Sequence, residues 1–243
     1  MPIDAHCHTG SFEPLFRGSF GIDDLVAAWD AAGVQAGIIS NVMRGQMQLA
    51  NDSALESSRK HPGRVYAYMY LDPSDLQAAL TELDRCAETG LFRGVKLHPS
   101  EDAWFPYLEH YFPLYERIAS HQLPILMHSG TFPHSGPLAC AAAARHFPEI
   151  PFILAHFGLS DYSWECFPAA EIASNVHVDT TANPMVRVLS EWIERFGAER
   201  MLWGSDFPFY NVSYEAAKLD ALTCSAAERE QIAGGNAMRI FKI

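Results

Sequence analysis

Long apolar runs are missing from this sequence. No stretch approaches the roughly 20 consecutive apolar residues needed to span a bilayer, so no membrane partner is expected. The opening Met1-Pro2-Ile3-Asp4 lacks the basic and apolar stretches of a secretory leader, and the expected setting is the cytoplasm. Cysteine is scarce and scattered: Cys7, Cys86, Cys140, Cys166 and Cys224 are odd in number and never spaced CxxC. That argues against a disulfide framework and against a thiolate zinc site. Basic residues are few, 17 against 29 acidic ones, leaving a formal charge of −12. Such a surface repels phosphates over most of its area, so no nucleic-acid partner is expected. There is no Pro/Ser-rich linker, and no Gly-rich phosphate loop after the first β-type run.

What is present is an alternation. With 49% apolar and 19% charged residues, the 243-residue chain has the makeup of a globular domain with a sizeable core. Short β-type runs occur at Ile3–Ala5, Ala36–Ser40, Val65–Leu71, Gly94–Leu97, Pro124–Met127, Phe152–Leu154, Val176–Asp179 and Met201–Trp203. Helix-like segments separate them: Ile22–Ala32 with Gly33 as its C-cap, Leu76–Glu88 after Pro73-Ser74-Asp75, Tyr107–Ser120, Leu138–His146, Met185–Phe196 and Tyr214–Leu222. A last helix is expected near Ala226–Ala233. Strand then helix, repeated eight times, implies parallel strands with right-handed crossovers. The expected fold is α/β, a single (β/α)8 TIM barrel over residues 1–243. A doubly wound open sheet is the competing architecture. The longest irregular stretches, Thr9–Gly21, His98–Pro106 and Ser129–Gly136, each follow a strand, which puts them on the face where barrels carry their chemistry.

The eleven histidines are placed unevenly against this pattern. His6 and His8 close the first strand; His98 follows the fourth, His128 the fifth and His156 the sixth; Asp206 follows the eighth. In a parallel barrel all these strand ends lie on one face, so the side chains should converge. Residues i and i+2 on a strand share a side. His6 and His8 can therefore both face the axis while Cys7 faces the helices. Two surface histidines would explain HxH as simply, a hydrogen-bonded core histidine would explain His128, and an N-cap would explain Asp206. Against the last reading, a carboxylate at the mouth of a buried strand costs several kcal/mol unless it is paired or metal-bound. Each signal is weak alone; together, under one fold, three histidines and an aspartate make a catalytic metal site with room for water.

Ile3-Asp4-Ala5-His6-Cys7-His8, Gly94-Val95-Lys96-Leu97-His98-Pro99, His128, Ala155-His156-Phe157-Gly158, Gly204-Ser205-Asp206-Phe207-Pro208 and the closing Gly235-Asn236-Ala237-Met238-Arg239-Ile240-Phe241 resemble the amidohydrolase superfamily. More narrowly, they are similar to its amidohydrolase-related branch, which includes aminocarboxymuconate semialdehyde decarboxylase, resorcylate decarboxylase and pyrone dicarboxylate lactonase. The likeness spans almost the whole chain. It implies that His6, His8, His128 and Asp206 hold one divalent metal, zinc first and manganese second, and that His156 is a catalytic acid/base. Lys96 stands near the place of the bridging lysine of two-metal relatives, but its Gly-Val-Lys-Leu-His-Pro setting is the form of the one-metal branch, so Lys96 is expected to be a pocket cation.

The expected activity is metal-assisted hydrolysis of a small carbonyl compound, with Asp206 as a second catalytic group taking the proton of a metal-activated water. His156 would steady the oxyanion or donate a proton. Non-oxidative decarboxylation of an aromatic or unsaturated acid is the alternative, with His156 or Asp206 protonating the carbon. A silent metal-binding barrel ranks below both, and so does a two-metal phosphoesterase or nuclease, which would need a phosphate clamp. Candidates for binding the substrate are Lys96, His98, Arg44 and Arg17, with Trp104 and Phe132 as aromatic walls. If the chain self-associates, a homodimer is the expected form.

Overall fold

The computed structural model describes residues 1–11 and 18–243. Eight parallel strands run in sequence order: β1 (Ile3–His8), β2 (Ala36–Ser40), β3 (Val65–Tyr70), β4 (Phe92–Leu97), β5 (Ile125–Met127), β6 (Phe152–Leu154), β7 (Val176–Asp179) and β8 (Met201–Leu202). The outer layer is α1 (Ile22–Ala32), α2 (Met47–Lys60), α3 (Leu76–Glu88), α4 (Phe112–Ser120), α5 (Pro137–Ala144), α6 (Cys166–Ile172), α7 (Val186–Phe196) and α8 (Val212–Ala221). The ring closes where β1 meets β8: Ala5 N donates to Trp203 O (3.1 Å), and both Ser205 N (3.2 Å) and Asp206 N (2.7 Å) donate to His6 O. This is the expected (β/α)8 barrel.

The buried carboxyl of Asp4 reinforces that seam. It accepts from Ser205 N (2.8 Å), Ser205 Oγ (2.5 Å), His6 N (3.2 Å) and the indole N–H of Trp29 on α1 (2.9 Å). Its pKa is raised to about 6, because burial disfavours the charge more than these donors restore it.

Inside the ring pack Ile3, Ala5, Ile38, Tyr68, Leu126, Ile153 and Leu202, with Ala237, Ile240 and Phe241 of the C-terminal segment packed against them. A separate, larger cluster fills the space between strands and helices, and Cys7 belongs to it. Strict alternation from Ile3 and Ala5 would have put Cys7 inside the ring and His6 and His8 outside it. The pairing of β1 with β2 slips instead: Asp4 pairs with Gly37 but Cys7 with Ile39, so three steps on β1 match two on β2. This bulge reverses the phase of the strand and turns both imidazoles to the axis.

Several boundaries differ from expectation. β1 continues through His8. α2 and α6 had no counterpart in the sequence reading. α2 is polar, buries only Ala50, Asn51, Ala54 and Leu55, and has no side-chain N-cap; α6 is seven residues long. The segment expected from Tyr107 forms a 3-10 turn at Glu109–Tyr111 and becomes α-helical only at Phe112, with Pro113 in its first turn. α8 starts two residues early because Asn211 caps it, accepting from Ser213 N and Tyr214 N. No helix among the described residues is long and apolar enough to cross a membrane.

Candidate metal centre at the barrel mouth

The C-terminal ends of the strands gather the expected residues. His6 Nε2 lies 3.2 Å from His8 Nε2 and 3.6 Å from Asp206 Oδ1; His8 Nε2 is 3.2 Å from the same oxygen. His6, His156 and Asp206 also offer ligand atoms within 4.8 Å of one another. His156 Nδ1 stands 3.8 Å from Asp206 Oδ2, so the two carboxyl oxygens face different imidazoles. His128 stands one ring further out: its Nδ1 is 3.1 Å from His156 Nε2, and its ring stacks on His98 at 3.9 Å. Lys96 lies on the inner face of β4, with Nζ 3.0 Å from His6 Nε2.

Hydrogen-bond partners assign the ring protons. His8 Nδ1 faces the carbonyl of Ser40 at 2.8 Å, which only accepts, so the proton sits on Nδ1 and Nε2 is bare. His6 Nδ1 faces Asp179 Oδ2 at 2.8 Å, with the same result. Two nitrogen lone pairs and a carboxyl oxygen thus point at one another, with the Lys96 ammonium at 3.0 Å from His6 Nε2 the cation that faces them here. Burial also pushes His6, His128 and His156 well below the usual imidazole range, with Lys96 adding to the effect, so they stand neutral and ready to ligate. This donor set fits a divalent metal. His98 is turned the other way: its Nδ1 accepts from Glu101 N at 3.1 Å, which leaves an N–H on Nε2.

Two of the central residues have strained backbones. His156 (φ 65°) and Asp206 (φ 54°) both lie in the left-handed region, which non-glycine residues rarely occupy and which clusters at functional sites. Gly204 explains how β8 comes so near: a Cβ there would sit 2.9 Å from His6 Cβ and 2.9 Å from Thr181 Cγ2.

A cavity of about 380 Å³ opens over the cluster. Its lining combines polar His8, Lys96, His98, His128, His156 and Asp206 with Leu159, Ala182, Phe209 and Tyr210, and the Phe209 ring meets His8 edge-on at 6.0 Å. Burial lowers the Lys96 pKa to about 8, against the pull of Asp206 and Asp179, and raises that of Asp206.

Other expected binders lie elsewhere. Trp104 is buried against Tyr111 in the outer core, because its loop folds back onto the helix layer. Phe132 is 71% exposed and stacks on Tyr162, and Arg44 is exposed on the loop after β2; neither is a lining residue. Arg17 falls outside the described residues. Sequence reasoning passed over Asp179, Thr181, Ser40 and Thr131, which hold the imidazoles in place. Asp179 carried the same signal that marked Asp206, a carboxylate at the end of a buried strand.

Fold and site define a class: an eight-stranded α/β barrel with imidazoles and a carboxylate gathered at its C-terminal mouth. The chain belongs to the amidohydrolase family, whose model matches residues 3–243. It is 24% identical to a gamma-resorcylate decarboxylase of Polaromonas sp. over 92% of this chain and 84% of that protein. It superposes with a TM-score of 0.78 at 19% identity on the dihydroxybenzoic acid decarboxylase of Polaromonas sp. crystallised with manganese and 2-nitroresorcinol, covering 99% of this chain and 96% of the other. A 5-carboxyvanillate decarboxylase from Novosphingobium aromaticivorans, complexed with manganese and 4-hydroxy-3-methoxy-5-nitrobenzoic acid, gives a TM-score of 0.83 at 16% identity, covering 100% and 96%.

Proposed function

We propose that this chain is a metal-dependent, non-oxidative decarboxylase of a small hydroxylated aromatic acid. The observation that carries the reading is the mixed lining of the cavity, imidazoles, Lys96 and Asp206 together with aromatic and aliphatic side chains. A planar acid can lay its oxygens against the imidazoles, Lys96 and Asp206 while its ring meets Phe209, Tyr210 and Leu159. Residues alone favour hydrolysis over decarboxylation; the relatives, named for decarboxylation of aromatic acids, reverse that order.

His6, His8, His128 and Asp206 would hold the ion, manganese before zinc on the strength of the relatives. Bound there, it would act as a Lewis acid towards the substrate's oxygens. Lys96 and the Nε2–H of His98 would bind the anionic oxygens and fix the ring's orientation. Asp206 is our choice of proton donor, because its Oδ2 faces the cavity beside His156 Nδ1 at 3.8 Å, while His156 spends Nδ1 on Thr181 and Nε2 on His128. Asp206 Oδ2 would deliver its proton to the carbon bearing the carboxylate. The carbon–carbon bond then breaks, its electron pair restores the ring, and carbon dioxide leaves.

The test is to load the protein with manganese(II) and offer it 2,6-dihydroxybenzoate, 5-carboxyvanillate and a panel of lactones and amides. Carbon dioxide release from an aromatic acid is the expected result. Turnover of a lactone or amide with no carbon dioxide from any acid would return the chain to hydrolysis.

A further inference from the structure

Asp179 touches both halves of the site. It ends β7 fully buried. Its Oδ2 faces His6 Nδ1 at 2.8 Å. Its Oδ1 accepts from His156 N (2.8 Å), Thr181 N (3.0 Å) and the Thr181 hydroxyl (2.7 Å). A carboxylate only accepts, so each bond attached to it has a fixed direction. Thr181 commits its hydroxyl proton to Asp179, and its oxygen therefore accepts from His156 Nδ1–H at 2.8 Å. His156 Nε2 is then bare and accepts from His128 Nδ1–H at 3.1 Å. His128 Nε2 is bare in turn and accepts from the Thr131 hydroxyl at 2.9 Å. One directed chain thus runs from Thr131 through His128, His156 and Thr181 to Asp179, and a second bond ties His6 to the same carboxylate.

We propose that Asp179 is a positioning residue that sets the tautomers of His6, His156 and His128 together, keeping the proton on Nδ1 and the lone pair on Nε2 in all three. The inference rests on the metal reading only in that the Nε2 lone pair of His6 is what a cation needs. It does not depend on which reaction follows. Carboxylates behind metal-binding histidines act in this way generally, and their loss weakens metal binding about 10- to 100-fold.

Asp179→Asn separates this role from packing. The amide keeps the shape, and its oxygen can keep the Oδ1 bonds, but its NH2 towards His6 can only donate. The His6 proton is then favoured on Nε2, with the Lys96 ammonium, 3.0 Å from that nitrogen in the parent, having to turn away. With the full chain carrying 15N-histidine, long-range 15N–1H spectra of the metal-free protein should show His6 change from Nδ1–H to Nε2–H. Titration with manganese(II) alone should give an affinity about 10- to 100-fold weaker. Thr181→Val removes the partner of His156 Nδ1 and only a long 3.4 Å contact to His6 Nδ1, whose 2.8 Å bond to Asp179 stays: His156 should lose its fixed Nδ1–H while His6 keeps its own. A folded Asp179→Asn protein with an unchanged His6 tautomer and manganese affinity within about twofold of the parent overturns the proposal, since the carboxylate loss should cost far more. If Asp179→Asn does not fold, Thr181→Val decides: an unchanged His156 tautomer overturns the proposal, and its loss with His6 intact supports it. No readout uses turnover, so failure to decarboxylate any acid leaves this test standing.

Discussion

At the residue scale the site divides its labour by environment. Asp206 and Asp179 are both buried strand-end carboxylates, yet one lines the cavity and the other is enclosed by donors. Asp206→Asn removes the proton to be donated and should lower kcat for an aromatic acid by about 10²–10⁴-fold at saturating manganese; a rate within threefold of the parent would remove Asp206 from the chemistry. Asp102 makes a prediction away from the cluster. Its carboxyl takes the Tyr70 hydroxyl at 2.5 Å, its other oxygen has no partner, and burial raises its pKa to about 7. A raised carboxyl pKa means that the folded state holds the proton more tightly than the unfolded chain. Its stabilising share is therefore complete below the ordinary value of 3.8 and is lost as pH rises through about 7. Asp102→Asn stays neutral, so its Tm should exceed the parent's at about pH 8.5 and the gap should close towards about pH 5. A gap that widens on acidification would contradict this. Residue identity made the converging ligands legible, because strand-end histidines stand out in an apolar run. Thr181 and Ser40 were not legible, since hydroxyls and carbonyls that orient a ring have no spacing of their own.

At the scale of elements, the β-type runs were readable because each is short, apolar and followed by a polar break, and seven of the eight begin or end within two residues of expectation at both ends. β1 was under-read, because its last three residues are polar or small and the register slip has no sequence mark. α2 was invisible for the opposite reason: its buried face is mostly alanine and asparagine, too little apolar area to show a period. The slip gives a sharp expectation for Cys7, which lies on the helix side of β1, fully buried. Cys7→Ala should cost about 1–2 kcal/mol, a Tm loss of several degrees for a chain of this size, and leave manganese stoichiometry at the parent value. Loss of the metal in a folded Cys7→Ala protein would show that the strand has the other phase.

At the scale of the whole molecule, the barrel's order of strands followed from the alternation of elements, but its closure depends on contacts more than 195 residues apart, which no local pattern encodes. Asp4 and His6 of β1 meet Ser205 and Asp206 just past β8. The proposed ligands sit on both sides of that seam, so an ion held there should tighten it. Hydrogen exchange with manganese(II) and with chelator should differ most at the amides of His8, Ser205 and Asp206; protection spread evenly over all eight strands would argue that the seam is not the weak line. The same seam sets a timetable. His6 and His8 are made first, His128 midway and Asp206 only after β8, so a growing chain carries an incomplete candidate site until its final strand docks. An ion held there would act as a clasp between the first and last strands, whose joining closes a long loop of chain. A chain cut before β8 would keep seven strands and the imidazoles but lack the Asp206 carboxyl.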